Sequence, residues 1–228
     1  GRNEGKLGWS SSAQYDAEVV KANKDLEPLY AKFAGMPPED LAKDAQAMAI
    51  GDRLFMNNCA QCHGSDAKGG PSFPNLVQGD SLYGREPETL VATITKGRNG
   101  IMPGFKETIN PQMAADIAQY VRSLSGLASD PIKVVRGKPE YMNYCVACHG
   151  VEGKGNKALG APNLTDDVWL YGSSEATIVN GILSGRNNRM PAQEQNLTPE
   201  QIRLVAAWVW SLSGGRDVTS ATVIGAPK

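Results

Sequence analysis

The stretches NNCAQCHGSD at residues 57–66 and YCVACHGVEG at residues 144–153 decide how this chain must fold. Each stretch contains two cysteines separated by two residues, and a histidine follows directly. The chain has four cysteines and two histidines in all, and the two copies of this motif use every one of them. Any chemistry that needs a thiol or an imidazole must therefore occur at these two motifs.

The composition of the 228-residue chain excludes several classes of protein. The length allows two small domains or one medium one. A formal net charge of -1 gives no large basic surface, which argues against nucleic acid as a partner and against a polybasic membrane patch. No run of about 18 apolar residues occurs, so we expect no spanning helix within this sequence. It opens with Gly1, which leaves room for an upstream signal peptide or anchor.

The second half of the chain repeats the first. GDRLFMNNCAQCHGSDAKG matches GKPEYMNYCVACHGVEGKG, and three further matched blocks follow in the same order. Four matched blocks in register indicate a duplicated domain. We predict an N-terminal helical extension over 1–48, a first domain over 49–127, a linker over 128–135, a second domain over 136–215 and a tail over 216–228.

Each copy has the pattern of three short helices joined by loops rich in glycine and proline. The first helix carries the first cysteine, the middle helix ends at glycine, and the closing helix starts with proline after a capping residue. We therefore predict a mostly α fold. Tyr120 and Trp208 of the closing helices should pack against Phe55 and Tyr141 of the first helices. Three short helices form a poor core, so a bulky apolar group would complete the centre of each copy.

Three chemistries use closely spaced cysteines. A four-cysteine zinc site matches the C-x2-C pattern but leaves both histidines unexplained. A thiol–disulfide exchanger needs a strand–helix–strand context that the sequence lacks. Covalent haem c explains the whole motif, because both cysteines bond to the porphyrin vinyl groups and the histidine binds the iron. We predict two covalently bound haem c groups attached at Cys59, Cys62, Cys145 and Cys148, with His63 and His149 as iron ligands.

The sixth ligand of each iron must be a methionine, because no third histidine exists. Met102 and Met190 occupy the same position in both copies, about forty residues after the histidine and directly before a proline. Met56 and Met142 also match, but they lie within the helix that precedes the first cysteine, where packing is their expected role. A methionine ligand raises the reduction potential and leaves no open site for oxygen or peroxide.

Further matched pairs are candidates for contacts around the haem groups. The carbonyls of Pro74 and Pro162, in the PNL motifs, are placed to accept a hydrogen bond from the ligating histidines. Arg98 and Arg186 could pair with a haem propionate or lie on the surface as solvated side chains. Tyr83, Tyr171 and the unmatched Trp169 could line the haem or hydrogen-bond a propionate, or pack in the core.

Two levels of resemblance follow from these motifs. An early CxxCH, a Pro-Asn-Leu loop and Met-Pro before the last helix make each copy resemble a class I cytochrome c domain. The stretches GAPNLTDDVWLYGSS, RMPAQEQ and WVWSLSG, together with the leading GWSSSAQYDAEVVKANKDLEPLYAKFAGM, resemble a narrower family over nearly the whole chain. That family is the dihaem subunit III of cbb3-type cytochrome c oxidases, called CcoP or FixP.

The resemblance implies a dihaem electron-transfer subunit that performs no bond chemistry itself. It would accept electrons from a cytochrome c or the bc1 complex and pass them to the monohaem and catalytic subunits of the oxidase. It also implies a place on the periplasmic side of the bacterial inner membrane, behind a membrane anchor that is missing from this sequence. The amphipathic segment 15–33 would then lie against the oxidase or between the anchor and the first haem.

Other functions are compatible with two haem c groups. A carrier of the cytochrome c4 type would need no leading helical segment, and a membrane anchor upstream would argue against it. A cytochrome subunit of a dehydrogenase would co-purify with that enzyme. A dihaem peroxidase would require Met102 or Met190 to leave its iron, and no additional histidine is present to assist.

Overall fold

The structure is a computed structural model that describes residues 10–78 and 81–214. The predicted tail over 216–228 and the first nine residues of the extension lie outside the described residues, as do the side chains at positions 19, 22, 23, 25 and 26. The helices are α1 (Ser11–Ala31), α2 (Pro38–Leu41), α3 (Ala45–Asn58), α4 (Ala60–His63), α5 (Pro87–Lys96), α6 (Pro111–Leu124), α7 (Pro131–Tyr144), α8 (Val146–His149), α9 (Glu175–Ser184) and α10 (Pro199–Ser211). The strands are β1 (Arg98–Met102) and β2 (Arg186–Met190).

The prediction of a mostly α fold is confirmed, and polar capping residues fix where the principal helices begin. Asp44 accepts hydrogen bonds from the first amides of α3, and Asp130 does the same for α7. Thr198 forms a capping box with Gln201 at the start of α10. None of the helices among the described residues combines the length and the apolar character needed to cross a membrane.

The two closing helices are exchanged between the copies. Helix α10, from the second copy, packs on α3 and α5 of the first, whereas α6, from the first copy, packs on α7 and α9 of the second. We call residues 45–96 together with 190–212 unit A, and residues 131–184 together with 102–124 unit B. Each unit has its own apolar core, and each core draws on both sequence copies.

The aromatic contacts follow the same exchange. The rings of Phe55 and Trp208 lie 4.4 Å apart in unit A, and those of Tyr120 and Tyr141 lie 5.1 Å apart in unit B. The aromatic residues of the closing helices thus pack on the predicted partners, but each pair joins residues of different copies. The sequence repeats and the packed units are therefore two different divisions of the chain.

The chain crosses between the units at a short antiparallel ribbon. Strands β1 and β2 pair so that Arg98 lies opposite Met190 and Met102 lies opposite Arg186. Beyond the ribbon, the backbone amide of Phe105 donates to a carbonyl at the end of α9, and that of Gln193 donates to a carbonyl at the end of α5. The segment after each methionine is therefore attached to the middle helix of the other copy.

The N-terminal extension packs on unit A. Phe33 and Leu41 are buried against Ile50 of α3 and Leu204 of α10. Only the end of the amphipathic segment is covered, since Tyr15 and Val20 earlier in α1 are about two-thirds exposed, at 66% and 67%. The predicted apolar face is therefore buried over its last turn and exposed before it.

Unit B presents a polar surface at the corresponding place. The residue that matches Ile50 is Arg136, and the residue that matches Leu204 is Asp116, and these two form an ion pair with an N–O distance of 2.8 Å. An apolar extension gains nothing by covering paired charges, because their desolvation is costly. The extension therefore packs on unit A and not on unit B because the contacting residues of α3 and α10 are apolar.

Replacing Phe33 with alanine is expected to release the extension from unit A without unfolding either unit. The Phe33 side chain is 1% exposed, and removal of a buried phenylalanine costs about 3 kcal/mol. Limited proteolysis within the extension should accelerate by at least about tenfold. The exposed Tyr15→Ala variant is the control and should be cleaved at the wild-type rate. Equal resistance of the Phe33→Ala and wild-type chains would contradict this packing.

The ion pair of unit B should make stability depend on pH in acid. Hydrogen bonds from the Arg136 guanidinium hold the pKa of the Asp116 carboxyl below its ordinary value. A lowered pKa stabilises the fold above the unfolded value of about 3.9, and this stabilisation is lost as the pH falls through the folded value. Asp116→Asn should therefore lower Tm at neutral pH, and the difference from wild type should shrink below about pH 4. A Tm difference between the two proteins that does not change with pH would contradict this role of the ion pair.

Candidate functional site

Each CxxCH motif forms a single helical turn at the end of a longer helix. Helix α3 ends at Asn58 with Cys59 as its C-cap, and α4 follows with the amide of His63 donating to the Cys59 carbonyl at 2.9 Å. The second motif repeats this geometry with Cys145 and His149, again at 2.9 Å. One turn places the second cysteine and the histidine close to the first cysteine, as attachment of both thiols to one flat group requires.

Each histidine ring lies against a proline carbonyl, and burial favours its neutral form. The Nδ1 atom of His63 lies 3.2 Å from the Pro74 carbonyl oxygen, and that of His149 lies 3.1 Å from the Pro162 carbonyl oxygen. Burial lowers the pKa of both imidazoles, against a smaller opposing effect of these hydrogen bonds. With Nδ1–H donating to the carbonyl, Nε2 keeps a lone pair for a metal.

The methionine that packs against the core of each unit comes from the other copy. Met190 packs against the core of unit A, together with Cys59 and Ala60. Met102 packs against the core of unit B, which contains Cys145. The sequence alignment identified both methionines as ligand candidates but did not show in which unit each one packs.

Glycines at the ends of the middle helices make room for the methionine segments. Gly97 and Gly185 adopt φ values of 69° and 75°, a region that side chains strain. A Cβ atom at Gly97 would overlap the Met190 carbonyl, and one at Gly185 would lie 2.5 Å from the Met102 carbonyl. The backbone of each methionine thus rests directly on a glycine of the other copy.

The predicted arginine and tyrosine pairs stack on each other beside the ribbon. The Arg98 guanidinium lies 4.6 Å from the centre of the Tyr83 ring, and Arg186 lies 4.3 Å from that of Tyr171. Arg98 also donates to the Thr93 hydroxyl at 2.8 Å. Much of each guanidinium is thus engaged by protein atoms, so a structural role for both arginines has direct support in the geometry.

An unpartnered donor in unit B shows that a haem group fits the site. The Trp169 indole Nε1 is buried and has no hydrogen-bond partner among the described residues. Buried donors nearly always have an acceptor. Trp169 packs against the core that contains Cys145 and Met102, where a haem propionate would supply the missing oxygen. The unpartnered donor of unit B therefore fits a haem c with a propionate as its acceptor.

The arrangement does not favour the zinc alternative. Within the described ranges, which include all four cysteines, no group of three or more histidine, cysteine, aspartate or glutamate side chains is gathered as a metal site. The only strands in the described part of the chain are β1 and β2, so the strand–helix–strand context of a thiol exchanger is not present there.

Comparison with known proteins gives the same family for both copies. Residues 45–121 and 133–209 each match the family described as "Cytochrome C oxidase, cbb3-type, subunit III". The chain is 49% identical to the cbb3-type cytochrome c oxidase subunit CcoP of Rubrivivax gelatinosus, over 93% of the chain and 70% of that protein. It is 40% identical to subunit FixP of Bradyrhizobium sp. (strain ORS 278), over 93% of the chain and 79% of that protein. It is 33% identical to CcoP of Rhodobacter capsulatus, over 95% of the chain and 80% of that protein.

Proposed function

Since the chain belongs to the family of subunit III of cbb3-type cytochrome c oxidases, we propose that it carries two covalently bound haem c groups and relays single electrons to the oxidase. The relatives are named as subunits of such oxidases, so this chain is an electron-transfer subunit of an oxidase complex. The oxygen chemistry belongs to other subunits. The two family matches, one for each CxxCH, support the number of two haems.

The proposal rests chiefly on one observation: each unit has a histidine whose ring lies against a proline carbonyl and a methionine that packs against the unit's core. In unit A, Cys59 and Cys62 would hold a haem by thioether bonds, with His63 and Met190 as its axial ligands. In unit B, the corresponding residues are Cys145 and Cys148, with His149 and Met102.

When bound, haem c supplies a one-electron couple between ferric and ferrous iron. The protein contributes the rest of the function. As a ligand of the iron, the methionine thioether would favour the ferrous form and would take the position that oxygen or peroxide needs. The Pro74 and Pro162 carbonyls hold the imidazole rings in one orientation, and the apolar cores exclude water. Little then has to move when an electron arrives or leaves.

The family also supports proposals for partners and location. We infer that the chain receives electrons from a cytochrome c or the bc1 complex and delivers them to the monohaem and catalytic subunits. This exchange would occur on the periplasmic side of the bacterial inner membrane. The extension on unit A would connect the two units to a membrane anchor.

The alternatives have less support than the oxidase. A methionine in each core argues against a peroxidase, which needs an open iron. A cytochrome c4-type carrier and a dehydrogenase subunit would share the haem sites, but the relatives described above are named as oxidase subunits.

Rapid mixing tests the proposed relay directly. The haem-loaded chain, reduced beforehand, is mixed with oxygen and a cbb3 oxidase core that lacks subunit III. Oxidation of the chain should require the core, whereas a variant with both Met102→Ala and Met190→Ala should be oxidised by oxygen even without the core, because its irons then have an open position. The same slow oxidation with and without the core would favour one of the other carriers.

A further inference from the structure

Tyr83 belongs to unit A, but its ring lies on a loop of unit B. A Cβ atom built at Gly160 would overlap this ring and would lie 2.5 Å from its Cε1 atom. On the ribbon side, the Arg98 guanidinium lies 4.6 Å from the ring centre, and a Cβ atom at Gly100 would lie 2.9 Å from the Tyr83 hydroxyl oxygen. The ring therefore contacts both strand β1 and the loop that contains Gly160.

This loop of unit B carries the carbonyl that orients His149. Gly160 precedes Pro162 by two residues, and the Pro162 carbonyl oxygen lies 3.1 Å from Nδ1 of His149. The residue between them, Ala161, exchanges two backbone hydrogen bonds with Asn156, at 2.9 and 3.0 Å. Because each residue has only two soft backbone dihedrals and these bonds restrict them further, the position of Gly160 largely determines that of the Pro162 carbonyl.

A second feature shows that the two units meet beside the same carbonyl. The turn of unit A that leads into Tyr83 and the loop of unit B that carries Pro162 border one small cavity. Its lining residues include Ser81, Leu82, Ala161, Pro162 and Asn163. The contact of Tyr83 with Gly160 is therefore part of a wider approach of this turn to the loop.

The matching loop of unit A is held by a backbone contact instead. Ser72 precedes Pro74 by two residues, and its amide donates to the Leu170 carbonyl of unit B at 3.1 Å. A side chain thus supports the histidine loop of unit B, whereas a backbone hydrogen bond supports that of unit A. A substitution at Tyr83 should therefore act on the histidine of unit B and spare that of unit A.

We propose that Tyr83 is a positioning residue for His149, the histidine of the other unit, an inference that rests on the two-haem function proposed above. By holding Gly160 in place, the tyrosine ring keeps the Pro162 carbonyl where it accepts the hydrogen bond from Nδ1 of the imidazole. This bond fixes the orientation and the tautomer of the ring, and it makes Nε2 a stronger donor to iron. The ligand geometry of the haem in unit B thus depends on a side chain of unit A.

NMR of protein labelled at the histidine ring nitrogens tests this inference, because His63 and His149 are the only histidines in the chain. In the reduced two-haem protein, Tyr83→Ala should accelerate solvent exchange of the His149 Nδ1 proton by at least about tenfold, since its hydrogen bond opens more often, and that of His63 by less than about threefold. Tyr83→Phe keeps the ring and should exchange as wild type does. A chain with Cys145→Ser and Cys148→Ser, which lacks the haem of unit B, assigns the two signals.

The matched control is Tyr171→Ala. Tyr171 stacks on Arg186 as Tyr83 stacks on Arg98, and its hydroxyl donates to the side chain of Asn188 in β2. This variant removes an equivalent stack beside the ribbon but leaves the ring of Tyr83 on its loop. Exchange of both histidine protons should stay within about threefold of wild type.

An unchanged exchange rate at His149 in Tyr83→Ala, with both haems bound, would overturn the inference and leave the proposed function intact. Equal acceleration at both histidines, or the same acceleration in Tyr171→Ala, would also overturn it. If Tyr83→Ala fails to take up both haems, Gly160→Ala decides instead, because the added Cβ atom forces the ring and the loop apart. That variant should accelerate exchange at His149 and not at His63, and any other result overturns the inference. A wild-type chain without two haems would instead overturn the proposed function, and this inference with it.

Discussion

Replacing Met190 with alanine is expected to remove the iron–sulfur bond from the haem attached to Cys59 and Cys62, and to leave the other haem unchanged. Met190 lies in the second sequence copy but packs in the core that contains Cys59. Without the thioether, water or another weak ligand takes the sixth position, and the far-red absorption band of iron–methionine bonding disappears from that haem. Its reduction potential should fall, since the thioether stabilises ferrous iron.

Chains that keep a single haem make this result unambiguous. In a chain with Cys145→Ser and Cys148→Ser, only the first attachment site remains. In that chain Met190→Ala should abolish the far-red band, whereas Met102→Ala should leave it at full strength. The opposite pattern would show that each methionine serves the haem of its own copy, and the exchange would be wrong.

Gly137→Ala is expected to destabilise the protein strongly. Helices α6 and α7 cross at this glycine, and a Cβ atom there would overlap the backbone carbonyl of Asp116. A backbone group cannot turn aside as a side chain can, so the helices must separate. We expect a cost of about 5 kcal/mol, above the usual range for overpacking, against about 1 kcal/mol gained from the higher helix propensity of alanine. The net loss of about 4 kcal/mol should lower Tm by roughly 8–16 °C.

Gly70→Ala is the matched control for this substitution. No atom lies within 4 Å of a Cβ built at Gly70, so its unfolding free energy should stay within about 0.5 kcal/mol of wild type. Calorimetry of the haem-loaded chain measures both variants. A Gly137→Ala protein as stable as the Gly70→Ala protein would mean that α6 and α7 do not approach as closely as the structure has them.

The helices and the histidine contacts could be anticipated because they depend on local signals. Capping residues, proline at the first helical position and the fixed spacing of CxxCH all act within a few residues. The contacts of His63 with the Pro74 carbonyl and of His149 with the Pro162 carbonyl could be anticipated from the matched PNL motifs. Such features are encoded where they occur and need no knowledge of the partner helix.

The exchange of the closing helices could not be read from the repeat itself, because α6 and α10 carry similar patterns and either could complete either core. The polarity of four residues in the contacting helices nevertheless indicates the exchange. Packing within each copy would put Ile50 against Asp116 and Arg136 against Leu204, an apolar residue against a charge in both cases. The exchange pairs Ile50 with Leu204 and Arg136 with Asp116, which satisfies all four.

The contacts of the matched arginines could not be predicted from short sequence patterns either. Arg98 and Arg186 share a motif, and a matched motif predicts a matched role. Their stacking on Tyr83 and Tyr171 depends on the fold of the loops beside the ribbon, which no short pattern specifies.

The most direct test of the central claim, two histidine–methionine haems in one chain, is the optical spectrum of the purified protein in both oxidation states together with a pyridine haemochrome count. The account predicts two haems per chain and a far-red band of corresponding strength in the oxidised protein. It also predicts that the combined substitution Met102→Ala and Met190→Ala removes this band completely. One haem or none, or a band that survives the combined substitution, would contradict the account.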